Sequence, residues 1–234
     1  MRCYDWHAAL STRIDPEGGR TVTAAIRSGR GRRALRPRYL AAAGLLLFLT
    51  GVVAFMGIIT AESLYPAGYS TSENEISDLG GTEPPDSVIE EPSATIFNTA
   101  MMVAGAFIIL AAICMRIGFG RWAAPVLIGL FGLGVLGVGI FPGDTGTIHA
   151  LFAMLTFVAG GVAAIVSLTI VTPPLSYVSV LLGVVALVTL LLQVIMGDSS
   201  PLAGMGIGGV ERWVAYPILL WATGLGGYLL GRAR

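Results

Sequence analysis

Residues 39–61 read YLAAAGLLLFLTGVVAFMGIITA, a run without one charged side chain. About 20 apolar residues in helical conformation bridge the roughly 30 Å hydrocarbon layer of a bilayer, so this stretch predicts a transmembrane helix. The preceding Arg30-Gly31-Arg32-Arg33 is similar to a twin-arginine export signal. A cleaved signal has a shorter apolar region, of about 7–15 residues, closed by small residues at a processing site. The run here is longer and has no such closure, so it is expected to stay in the membrane as helix 1.

Five further runs follow the same rule: Thr95–Met115, Ala123–Phe141, Ile148–Val171, Tyr177–Met196 and Trp213–Leu230. Composition agrees with them. Hydrophobic residues make up 55% of the 234, charged residues only 12%, and the mean hydropathy is +0.79. Soluble chains carry about 25% charged residues, so this chain lacks the polar surface to cover a water-exposed body. The fold predicted is an all-α integral membrane bundle of six transmembrane helices, over residues 39–232. Residues 1–38, rich in Arg and Gly, read as a disordered cytoplasmic arm; a start near Arg36 is the alternative. Residues 62–92 read as an external loop.

The net charge of zero conceals an asymmetry. All fourteen basic residues are Arg, and nine of them precede Tyr39. Arg116, Arg121, Arg232 and Arg234 fall on the same side as that arm, whereas eight acids lie between Glu62 and Glu91 on the other. Basic residues in short loops mark the cytoplasmic side. Both termini are therefore expected inside, in the plasma membrane. A repeat is also visible. Leu127-Ile128-Gly129 to Gly143-Asp144 and Leu181-Leu182-Gly183 to Gly197-Asp198 are offset by 54 residues throughout, which suggests that hairpins 3–4 and 5–6 are related.

Polar residues collect at one level, where odd helices end and even helices begin. His149 stands alone there, at helical spacing from Phe152, Ala153, Thr156 and Gly160. Its ordinary pKa near neutrality suits a general acid or base, with Asp144 or Glu211 to orient it. An interfacial histidine bonded to Asp144 or to the 3–4 turn is the plainer reading. Asp144 equally suits a cap on helix 4, and Asp198 reads the same way. Arg212 defies the charge bias of its side and needs a partner: Glu211, Asp144, Asp198, a lipid phosphate or an anionic ligand. Tyr216 lies one turn deeper. Arg212, Tyr216, Asn98, Asp78 and Asp198 form the candidate ligand-binding set; His149, Asp144 and Glu211 form the candidate catalytic set. The first loop carries Tyr65, Tyr69, Ile76 and Leu79, apolar material for a lid over the bundle.

Cys3 and Cys114 give neither a metal spacing nor a disulfide, and the chain holds no Walker loop, nucleophile elbow or H-E-x-x-H. No metal and no cofactor is expected. The partners expected are membrane lipids and a small anionic or lipid-linked ligand; nucleic acid is not expected, and oligomeric state is not readable. Three functions fit: a binding protein with an outer-leaflet polar pocket, an intramembrane hydrolase or transferase with His149 as acid or base, and a small transporter.

Asn74-Glu75-Ile76-Ser77-Asp78-Leu79-Gly80 with the preceding Tyr65-Pro66, Ala94-Thr95-Ile96-Phe97-Asn98, Phe141-Pro142-Gly143-Asp144 followed by His149, and Gly209-Val210-Glu211-Arg212 carry a resemblance. On these segments the chain resembles the membrane family "domain of unknown function 998", over about Tyr39 to Leu230. The resemblance implies a multi-span membrane fold without an established activity. It also implies an archaeal or actinobacterial type, in keeping with the absence of Lys.

Overall fold

The computed structural model describes residues 29–66 and 68–233. Among them six helices are long and apolar enough to cross a membrane: α1 (Gly29–Leu64), α2 (Ser93–Phe119), α3 (Ala123–Ile140), α4 (Thr147–Val166), α5 (Leu175–Met196) and α6 (Gly206–Arg232). No strand occurs among the described residues. Two boundaries differ most from expectation. α1 reaches back to Gly29, so residues 29–38 of the expected arm are helical; Ala34, Leu35 and the arginines of that stretch are strong helix formers. Residues 1–28 lie outside the described set. α6 begins at Gly206 rather than Trp213, through a glycine-rich turn that hydropathy scores poorly.

Consecutive helices pack side by side, and α1 closes the ring against α6. α4 also touches α6, so α5 braces that pair from outside and is the least buried span. Between membrane helices lipid offers no hydrophobic gain, and close approach over small residues supplies the packing energy. The α1–α6 crossing shows this: a Cβ on Gly44 would stand 2.8 Å from the Gly226 carbonyl oxygen. α2 and α3 meet the same way, with the Leu136 backbone against Gly105.

Phe131 and Trp221 fill the centre, with ring centroids 6.4 Å apart. The indole N–H of Trp221 donates to Ser167 Oγ at 3.1 Å, and Ser167 Oγ donates to the Ala164 carbonyl at 2.6 Å. The buried polar atoms of Trp221 and Ser167 are thus satisfied in series. The outside of the bundle is a coat of exposed Leu, Ile and Val, including Ile59, Ile113, Leu151 and Ile195, as lipid requires.

Gly143-Asp144 and Gly197-Asp198 each open a short 3-10 turn, after α3 and α5 respectively. At that end of the bundle lie the segment between α1 and α2 and the start of every even-numbered helix.

Candidate functional site

The segment between α1 and α2 folds down onto the bundle as a lid. Its anchor is Arg212, in the second turn of α6 and only 9% exposed. Arg212 Nη2 donates to Glu62 Oε1 and to the Tyr69 hydroxyl, both at 2.7 Å. Its Nη1 donates to the carbonyls of Thr71 and Asn74, each at 3.0 Å, and of Gly208 at 2.9 Å. The planar fork of a guanidinium suits such convergent acceptors. Of its nitrogens Nε is left buried and without a partner among the described residues. The partner that Arg212 required is therefore Glu62, not Glu211, Asp144 or Asp198.

The lid is tied internally as well. Asp78 Oδ2 accepts the Glu75 N–H at 3.0 Å and Asn74 Nδ2 at 3.3 Å. Asn74 Oδ1 accepts the Ser70 N–H at 3.0 Å, and the Tyr69 hydroxyl donates to the Glu75 carbonyl at 3.0 Å. Ile76 and Leu79 plug into the core. From α2, Ser93 Oγ donates to the Leu79 carbonyl and Asn98 Nδ2 to the Gly80 carbonyl, each at 3.1 Å. Asp78 and Asn98 thus hold the lid's own backbone. Burial, then the nearby Asp78 and Glu83, push the Glu75 carboxyl above the usual carboxylate range. Burial also raises the Tyr69 phenol, against the opposing pull of Arg212.

Glu211 turns the other way. Consecutive helical residues point about 100° apart, and while Arg212 grips the lid, Glu211 Oε2 accepts the Ile76 N–H and the side chain lines a cavity beneath it. That cavity, about 70 Å³, is also lined by His149, Ser77 and Thr156, with the rings of Phe97, Phe131 and Phe157 in its walls. A water needs roughly 10–15 Å³ of such space, so the chamber has room for several waters or one small polar group. His149 is 4% exposed and its Nδ1 lies 2.7 Å from the Phe141 carbonyl oxygen. A carbonyl cannot donate, so Nδ1 bears the proton and, in the neutral ring, Nε2 is an acceptor. Thr156 Oγ1 donates to the Phe152 carbonyl at 2.8 Å, which leaves its lone pairs for other donors.

His149 and Glu211 thus share one chamber, and the other candidates fall elsewhere. His149 uses the 3–4 turn rather than Asp144. Asp144 faces Gly81 in the lid, with Oδ1 buried and unpartnered among the described residues. It does not cap α4, whose N-cap is Gly146. Asp198 is exposed in its turn after α5. Tyr216 packs on Phe55 at 5.5 Å between centroids and, with Arg212, borders a groove of about 660 Å³ between α5 and α6, outside the ring. Glu62, Tyr69, Ser77 and Thr156 were not in the candidate sets. The signal for Glu62 was an acid at a helix end facing a side with one Arg; for Thr156 it was the spacing of seven from His149. Among the described residues no group of three or more His, Cys, Asp or Glu could hold a metal ion.

Fold and site together define a multi-pass membrane protein with a lidded chamber at one end of its bundle. The chain belongs to the family described as "Protein of unknown function (DUF998)", which matches residues 48–228. No curated protein and no solved structure matches it.

Proposed function

We propose that this protein binds a small polar ligand, free or as the headgroup of a lipid, in the chamber between His149 and Glu211. One observation supports the reading: two ionisable side chains, His149 and Glu211, line the same apolar-walled cavity. A mostly apolar pocket with a few convergent polar groups is the usual form of a small-molecule site. The guanidinium of Arg212 is taken up by Glu62 and the lid, so its role in binding is to close the chamber. Filling the space should abolish occupancy. Ala215→Phe, which leaves the anchor untouched, is expected to remove any small molecule that co-purifies with the wild-type protein, read by native mass spectrometry. Unchanged occupancy in a folded Ala215→Phe variant would sink the proposal.

The chamber also favours a second reading, an intramembrane enzyme on a lipid-linked substrate. His149 Nε2 would take a proton there and Glu211 would share the charge. Turnover surviving His149→Asn would exclude it. A conduit gains no support, because Phe131 and Trp221 fill the core below the chamber.

The arginine bias supports a lid on the outer face of the cell membrane. Asp198→Cys at its exposed turn, in a background of Cys3→Ser and Cys114→Ser, should react with a membrane-impermeant maleimide on intact cells. Labelling only after permeabilisation would invert the orientation.

A further inference from the structure

We infer that the ligand of this chamber bears a primary ammonium group; the inference rests on the binding function proposed above and names its chemical class. Three of the polar groups lining the space, His149, Thr156 and Glu211, offer acceptors, and the Ser77 hydroxyl can serve in either sense. Phe141 fixes a proton of His149 on Nδ1, so Nε2 of the neutral ring offers a lone pair. Thr156 spends its hydroxyl proton on Phe152. Glu211 accepts from Ile76 with one oxygen, and its carboxyl group lines the chamber. Convergent acceptors of this kind are completed by a donor, and an ammonium brings three N–H donors and no acceptor.

Charge points the same way. A buried carboxylate needs a counter-charge or it gives up its ionisation. The neighbouring cation, Arg212, is engaged by Glu62 at 2.7 Å on the lid side. A cationic ligand would supply what Glu211 lacks. The walls suit it too: the rings of Phe97, Phe131 and Phe157 border the space, and aromatic faces attract organic ammonium groups. A bare metal ion fits less well. Its ligands must close to about 2.0–2.6 Å, whereas the chamber keeps about 70 Å³ open between its walls. An anionic ligand, which Arg212 taken alone would favour, would face the Glu211 carboxyl group, while the guanidinium is taken up by Glu62 and the lid.

The test uses the full chain, purified in detergent and in nanodiscs. Ethanolamine and ethylammonium are the dissolved probes, with ethanol and acetate as neutral and anionic counterparts. Nanodiscs of phosphatidylethanolamine or phosphatidylglycerol provide the headgroup arms. The wild type should bind the amines by calorimetry and not ethanol or acetate. Glu211→Gln keeps an oxygen for the Ile76 N–H, and should weaken amine binding by about 30-fold or more through loss of a desolvated charge pair. Thr156→Val should cost about 10-fold or more, one hydrogen bond from a charged donor. Phe157→Leu, which preserves packing, should weaken the amines further than it shifts melting. Saturation by phosphatidylethanolamine nanodiscs assigns a lipid headgroup; saturation by dissolved amine in phosphatidylglycerol nanodiscs assigns a free amine. Amine affinity indifferent to Glu211→Gln and Thr156→Val would overturn the inference. A neutral or anionic molecule that occupies the chamber and is expelled by Ala215→Phe would overturn it while leaving the binding function standing. If no molecule of any charge binds, both fall.

Discussion

Arg212→Gln is expected to free the lid and destabilise the purified protein by about 3 kcal/mol, the lower end of the range for breaking a buried ion pair. The lower end applies because Glu62 keeps 22% of its side-chain surface exposed, against 10% for Arg212. Two kinds of loss combine. Glu62 is left as an acid without its cation, and the carbonyls of Thr71 and Asn74 lose the donors that pin them. Gln offers one amide to replace a fork that reaches three parts of the chain, in α1, the lid and α6. Arg212→Lys should recover little, since an ammonium restores the charge without the planar fork. Glu62→Gln should cost less than Arg212→Gln, because its amide oxygen can still accept from Nη2. Thermal melting in detergent reads the stability, and limited proteolysis of the loop between α1 and α2 reads the lid. A variant Arg212→Gln that melts like the wild type and keeps that loop protected would show that the lid is held by its apolar plugs alone.

Much of this architecture was legible from the residues, and the failures have physical causes. Six spans follow from hydropathy because the bilayer imposes one length on every helix. The polar level followed from the placement of acids and of one contrary Arg. The start of α6 did not. Gly206-Ile207-Gly208-Gly209 reads as weak helix, and only its docking on the Ser72 and Asn74 backbone makes it the first turn. Nor could the sequence pair Arg212 with Glu62, 150 positions away; nearer acids were the natural candidates. Glu211-Arg212 read as a unit because the residues are adjacent, yet adjacency on a helix separates directions. One residue belongs to the lid and the other to the chamber. His149 and Thr156 were legible as one face from their spacing, and both reach the same cavity.

Gly208→Ala should lower stability despite the better helix propensity of Ala. The gain from propensity is about 1 kcal/mol. Against it stands the Asn74 carbonyl, which occupies the place a Cβ would take, with the Thr71 carbonyl oxygen 2.8 Å from the same point. Both obstacles are backbone, so no rotamer change relieves them. The Gly208 N–H also donates to the Ser72 carbonyl at 2.9 Å, holding the two segments at this separation. Overpacking of a tight contact costs about 1–3 kcal/mol or more, which here exceeds the propensity gain. Gly227→Ala and Gly231→Ala, on the same helix with nothing within 4 Å of the added carbon, should instead stabilise slightly, by less than about 1 kcal/mol. The decisive measurement is the double variant, Gly208→Ala with Arg212→Gln. A lid pushed off by the added methyl has already withdrawn the Asn74 and Thr71 carbonyls from Nη1, so removing the guanidinium afterwards should cost much less than it does alone. Sites that share partners depart from additivity by about 0.5–3 kcal/mol. Strict additivity would mean that the glycine and the arginine hold the lid separately, and that the single latch inferred for it does not exist.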